Sequence, residues 1–242
     1  MSLEKSLSVI VRNYLYEISD TYEFTESIVK FIIEKYQEDE DSEFWGDYEP
    51  IIQEDTSRLF KMVLMSLFGL FEAFNKDFFT SLLSVKSECM KTKDKKLNYE
   101  EILSHNSFEE LHHFIALQET DMFGRNDIDY LAKFLKKKFK IEIISEFKDW
   151  EKLRESYYRR NVVVHNRSKV SNDYINKINN YGPTDLNKEL KVTYEYIEQC
   201  HDYIWNYIEW IFKEIIQKFK LEVKLKDVLD LDYPEEELFK DL

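Results

Sequence analysis

Four glycines and three prolines are all that this 242-residue chain offers for tight turns. A multi-stranded sheet needs many such residues at its reversals, so their scarcity points to long helices joined by few loops. Apolar residues make up 43% of the chain and aromatic ones 16%, enough to fill a sizeable core. The expected fold class is all-α, a helical bundle.

The apolar periodicity divides the bundle. Residues 2–18 and 24–37 read as two amphipathic helices, followed by the acidic run Glu38-Asp39-Glu40-Asp41. With Glu43, Asp47 and Glu49 this run forms an exposed connector closed by Pro50. Residues 1–49 are therefore expected to be an N-terminal helical extension packed on the bundle, because so short a segment rarely holds a core alone. The bundle itself is expected over 50–220. Between 52 and 90 the residues Leu59, Val63, Leu67, Leu70, Phe74, Phe78 and Leu82 recur at three and four, the spacing of one long core helix. Ser107-x-x-Glu110 is a capping-box signature for a helix reaching about Met122, and Gly124, Asn126 and Asp127 end it and start the next.

Asp149 to His165 reads as a further helix, with Trp150, Leu153, Tyr157 and Val164 facing the core. Its three consecutive valines predict a strained or frayed last turn. Residues 166–188 read as a loop with a short helix, turned by Gly182-Pro183. Lys191 to Lys220 carries one stripe of Ile197, Cys200, Ile204, Ile208, Ile211, Ile215 and Phe219 and a second of Tyr196, Tyr203, Tyr207 and Trp210. A helix apolar on two sides needs two partners, and a second subunit is a candidate for one of them. Residues 221–242 form an acidic tail expected to be loosely held.

Several function classes are disfavoured. Cys89 and Cys200 have neither disulfide-framework nor zinc-ligand spacing. The longest uncharged apolar run, Met62 to Phe71, is about half of the roughly 20 residues a bilayer needs, so no membrane contact and a cytoplasmic location are expected. No Gly-rich phosphate loop, His-Glu-x-x-His or Ser nucleophile elbow occurs. The net charge of −14 opposes general binding of polyanions. Basic residues are nevertheless concentrated locally, as Lys133, Lys136, Lys137, Lys138 and Lys140 and as Arg154, Arg159, Arg160, Arg167 and Lys169. The lysine run also reads as an ordinary solvated helix face.

One run carries chemistry. Arg160-Asn161-x-x-x-His165 places a phosphate-binding cation, an amide and a proton-transfer group within six positions. Metal-independent cleavage of RNA needs a base near neutral pKa to take the 2′-hydroxyl proton, and imidazole suits that role. A forked guanidinium stabilises the negative charge that develops on the phosphate. Asn161 lies four residues before His165 on the same helical face, where its amide can orient the ring or hold a non-bridging oxygen. Arg160 and His165 are about 140° apart around an unbroken helix, so they point to neighbouring faces. Two copies apposed in a symmetric dimer would supply one imidazole as base and one as acid.

The stretch Glu155-Ser-Tyr-Tyr-Arg-Arg-Asn-Val-Val-Val-His165-Asn166, the segment Gly182 to Tyr194 with its following aromatic helix, and the earlier Leu70-Phe71-Glu72-Ala73-Phe74 together resemble the HEPN superfamily. The likeness runs in order over roughly residues 55–220. It implies a helical bundle whose dimer brings two Arg-Asn-x-x-x-His motifs into one cleft. It further implies a metal-independent endoribonuclease of toxin–antitoxin or phage-defence systems, with an antitoxin or defence partner and no cofactor. Arg160, Asn161 and His165 take the motif positions and Glu72 the acidic one, while Arg154, Arg159, Arg167 and Lys169 are the expected RNA contacts. For Glu72 an ordinary intrahelical pair with Lys76 is the structural alternative.

The chain departs from the family pattern after the histidine. Many members have a small residue or Gly in that turn, where this chain has Arg167-Ser168-Lys169. Toxins silenced by adenylylation carry a Tyr two residues beyond the His, where this chain has Arg167. A non-catalytic module that binds RNA or a nucleotide, or scaffolds a larger complex, is the alternative function, and a purely structural helical dimer is the third.

Overall fold

The computed structural model describes residues 2–38, 49–92, 95–178, 181–223 and 228–229. Among these the chain is all-α, its only β feature being an isolated bridge between Lys169 and Glu189. The helices are α1 (Leu3–Glu38), α2 (Glu49–Val85), α3 (Tyr99–Leu103), α4 (Phe108–Thr120), α5 (Ile128–Phe139), α6 (Ile143–Glu146), α7 (Trp150–His165), α8 (Asn172–Lys177) and α9 (Tyr194–Phe219). A 3₁₀ turn, Ser87–Met90, follows α2.

The first two expected helices are one. Across the polar stretch near residue 21, hydroxyls fold back onto carbonyls one turn earlier, Thr21 onto Glu17 and Thr25 onto Thr21, each at 2.8 Å. With no Gly or Pro there, and with Thr25 fully buried and the Tyr22 hydroxyl 2.8 Å from that of Tyr194 on α9, packing carries the helix through. Leu7, Val11, Leu15 and Ile18 of α1 are fully buried in the core that also holds Leu64, Leu67, Phe68, Phe74 and Phe78 of α2. The expected acidic connector falls largely on residues 39–48, and most of the acidic tail on 224–227 and 230–242, outside the described residues. Leu221 and Val228, at the start of that tail, are buried rather than loose.

Caps fix several helix starts. The Asn98 side chain accepts from the Glu101 amide while Glu101 accepts from the Asn98 amide, a reciprocal box. Ser107 accepts from the Glu110 amide, but Glu110 reaches back to Asn106. Asp127 caps α5 and Thr193 caps α9.

Both stripes of α9 are satisfied within the chain. Its isoleucines meet α1 and α2. On the second stripe, the Tyr196 hydroxyl donates to Glu155 on α7 at 2.8 Å, the Tyr207 hydroxyl to Asn75 on α2, and Trp210 packs on Phe147 with centroids 5.4 Å apart. The second partner of this helix is thus α7 with the segment before it. Tyr207 is buried by these contacts, and Tyr196, Tyr203 and Trp210 are half-buried.

On α7, Trp150, Leu153 and Tyr157 are buried as the periodicity requires, whereas Val164 is 43% exposed and Val162 takes the buried place. The valine turn does not fray. Val162's carbonyl accepts from the amides of both Asn166 (2.9 Å) and Ser168 (3.2 Å), and left-handed backbone at Arg167 (φ 50°) and Ser168 (φ 60°) ends the helix. The chain therefore adopts here the conformation that glycine favours, without a glycine. Pairing holds it in place: Leu190 donates to Ser168 at 2.7 Å, and Val170 exchanges bonds with the 187–188 segment.

Candidate functional site

The second half of α7, the α4–α5 loop and α8 enclose a cleft of about 530 Å³. Arg160, Asn161 and His165 all line it, as do Tyr157, Tyr158, Arg125, Asp127, Asp173 and Lys177. The 140° separation of Arg160 and His165 is accommodated because the cleft wraps around the end of α7 instead of lying along one face. His165, the last residue of α7, is exposed, and Asn161 is half-buried.

Arg160 is the most constrained of the three. Its guanidinium is ion-paired with Glu72 of α2 and lies over the Tyr157 ring, 4.7 Å from the centroid, and near Phe68 at 5.8 Å. The Tyr157 hydroxyl donates to the same Glu72 oxygen at 2.9 Å and lies 3.1 Å from the Asn126 carbonyl. Burial and the Glu72 charge push the Tyr157 hydroxyl's pKa well up, so it remains a donor. Glu72 is not paired with Lys76, which instead reaches Asp121 at 3.6 Å. Glu72 is absent from the lining of the cleft and stands behind Arg160, where it positions the guanidinium. The Arg160 Nε is buried with no hydrogen-bond partner, an orphaned donor beneath the cleft wall and not one open to it.

Two expected RNA contacts are turned into the protein. Arg154 makes a forked pair with Asp129, at 2.6 and 3.1 Å, and its side chain is only 11% exposed. Arg159 lies 4.0 Å above the Tyr196 ring and donates from Nε to Glu155 at 2.9 Å. Glu155 is buried and also accepts from the hydroxyls of Tyr174 and Tyr196. The buried Glu155 demands such donors and draws Arg159 inward, while the half-buried Asp129 takes Arg154. Arg167 and Lys169 are exposed in the turn after His165 but do not line the cleft. In the lysine run, Lys138 is buried against Glu119 at 2.7 Å and Lys136 pairs with Glu142 at 2.9 Å. Lys133, Lys136, Lys137 and Lys140 are exposed, so most of this run is a solvated helix face.

The sequence offered no signal for the far wall. Lys177 of α8 donates to Asp127 at 2.8 Å, lies 3.9 Å from Asp129, and stands 5.5 Å from the Tyr158 centroid. The Tyr158 hydroxyl donates to Asp129 at 2.9 Å. Asp127's carboxyl lies below its ordinary range: burial pushes it up, but the bond to Lys177 and that ammonium's charge outweigh burial. Asp127 was legible only as a helix cap, and Lys177 only as part of a loop.

Among the described residues no group of three or more His, Cys, Asp or Glu side chains is placed to hold a metal ion, and no helix is long and apolar enough to cross a membrane. Fold and cleft together define an all-helical protein with an Arg-Asn-x-x-x-His site at the end of one helix. No family model matches the chain, and neither a curated protein nor a solved structure matches it.

Proposed function

We propose that this chain is a metal-independent endoribonuclease of the HEPN type, acting as a toxin or anti-phage effector. The observation that carries the reading is the convergence of Arg160, Asn161 and His165 on one cleft, with Glu72 holding the Arg160 guanidinium. His165 takes the proton of the 2′-hydroxyl, and the 2′-oxygen attacks phosphorus. Arg160 holds the non-bridging oxygens as charge builds on them, Asn161 orients the imidazole or the phosphate, and Glu72 fixes the guanidinium from behind. The bond to the 5′-oxygen then breaks, that oxygen takes a proton, and 2′,3′-cyclic phosphate and 5′-hydroxyl ends remain. In a symmetric homodimer the partner subunit's His165 would supply that proton.

The non-catalytic alternative, an RNA- or nucleotide-binding module, draws on the neutralisation of Arg160 by Glu72 in a chain of net charge −14. One experiment separates the two. Wild type and His165→Ala are incubated with total cellular RNA and a tRNA pool with and without excess chelator, RNA retained by the protein is quantified, and fragment ends are mapped. Cyclic-phosphate ends from wild type alone support the nuclease; RNA bound but intact in both supports the module; chelator-sensitive cutting contradicts both.

A further inference from the structure

Three cations line the cleft, Arg125, Arg160 and Lys177; Arg125 reaches out to Asp121 at 2.8 Å, while the other two stand in the same kind of cradle. Arg160 lies on the Tyr157 ring and pairs with Glu72, and the Tyr157 hydroxyl donates to that same carboxylate. Lys177 lies on the Tyr158 ring and within ion-pair distance of Asp129, and the Tyr158 hydroxyl donates to that carboxylate, while Asp127 takes the ammonium's direct bond. The two tyrosines are consecutive, with centroids 6.0 Å apart and ring planes at 89°. Successive residues of one helix thus present two supported cations to one space.

We propose that Lys177 is a second phosphate contact, so that the cleft takes an RNA strand by two phosphates, the scissile one at Arg160 and a flanking one at Lys177. The inference rests on the nuclease or RNA-binding reading of the cleft. Two features favour it over a purely structural tie for α8. Lys177 lines the cleft and its side chain is 34% exposed, unlike the inward-turned Arg154 and Arg159. Asp127, Asp129 and Asp173 surround the ammonium and hold its pKa above the ordinary lysine value, so a phosphate must compete with them for it. The volume of about 530 Å³ lies inside the range of roughly 300–1,000 Å³ typical of ligand sites and exceeds what one phosphate fills. An incoming phosphate exchanges one anionic partner of Lys177 for another, as it does at Arg160, so neither cation is left unpaired in the free protein.

The substrate class follows. A minimal substrate has a phosphate on each of two adjacent linkages, and a dinucleoside monophosphate lacks the contact at Lys177.

The test is binding of fluorescent 2′-O-methyl RNA, which cannot undergo 2′-hydroxyl attack, as a dinucleotide with one phosphate and a trinucleotide with two. Wild type is expected to prefer the trinucleotide by roughly ten- to a hundredfold, the worth of one charge-assisted hydrogen bond. In Lys177→Ala the preference should shrink to about the factor of a neutral nucleoside, and the salt slope should fall by about one counterion. Asp127→Asn keeps a good helix cap but removes the competing charge, so it should raise the trinucleotide preference above that of wild type. Melting curves of each variant report folding. If Lys177→Ala weakens dinucleotide and trinucleotide equally, or neither, while Arg160→Ala weakens both, the second contact is wrong and the cleft reading stands. If Arg160→Ala also changes nothing, or wild type binds neither RNA, both fall.

Discussion

Glu72 on α2 and Arg160 on α7 meet across 88 residues of sequence at a single carboxylate oxygen, which also accepts the hydroxyl of Tyr157 from the preceding turn of α7. The contact ties the catalytic candidate to the longest helix of the core, and it fixes the direction in which the guanidinium presents its remaining donors.

Removing that carboxylate should therefore affect both stability and the site. Glu72→Ala leaves Arg160, whose side chain is 15% exposed, without its counter-charge. A loss of about 1–3 kcal/mol in urea unfolding is expected, with Tyr157→Phe near the lower end. RNA cleavage by Glu72→Ala should fall more than tenfold even at temperatures where the variant is fully folded. Full activity in the folded variant would deny Glu72 a positioning role.

His165 makes the opposite prediction. It is exposed at a helix terminus, so His165→Ala should unfold within about 0.5 kcal/mol of wild type. Cleavage in excess chelator should nonetheless fall by about 10²–10⁴, the usual worth of a general base. Parallel melting and fragment-end assays on one preparation check both halves, and a large drop in melting temperature would make the histidine structural.

Gly182 supports the wall behind Arg159. A Cβ there would lie 2.6 Å from the Tyr174 hydroxyl and 3.0 Å from Glu155, and both groups are held in the buried network that also binds Arg159 and Tyr196. Gly182→Ala should cost about 1–3 kcal/mol through overpacking. Pairing it with Tyr174→Phe, which removes the crowded hydroxyl, should recover part of that loss in a double-mutant cycle.

Glu119 sets an acid limit on stability. Its carboxylate is buried and bridges Lys138 at 2.7 Å and Lys95 at 2.9 Å. Burial pushes its pKa up, but the bonds to the two lysines outweigh this and leave it below the ordinary glutamate value. A carboxyl lowered on folding stabilises above its unfolded pKa, and the contribution is lost as pH falls through the folded value. Glu119→Gln strands the buried Lys138, so it should cost about 3–5 kcal/mol at neutral pH. That gap should close on acidification below the glutamate range. Urea midpoints across pH for both proteins test this, and a gap unchanged in acid would locate the pair's energy elsewhere.

Much of the helical frame was legible because helix periodicity and capping are local. The apolar stripe of α2, the caps at Ser107 and Asp127 and the extent of α7 all follow from spacings within a few residues. Local reasoning failed where contacts from elsewhere decided the outcome. Thr25 is buried and Tyr22 meets Tyr194 on α9, so a polar stretch that reads as a break is continuous helix. The valine turn before His165 is held by bonds from Asn166, Ser168 and the distant 187–190 segment, which its β-branched composition does not reveal.

Taken alone, the sequence determined that the chain is helical, where α7 runs, and that Arg160, Asn161 and His165 fall together near its end, since all of this is set by 3.6-residue geometry. Only the tertiary structure decided which charges are available. Arg154 and Arg159 resemble Arg160 in sequence, yet Asp129 and Glu155 take them inward, Glu72 holds Arg160 at the cleft, and Asp127 brings Lys177 to the opposite wall. The physical reason is that a buried charge must find its counter-charge, and which carboxylate reaches it depends on how helices far apart in sequence pack against each other.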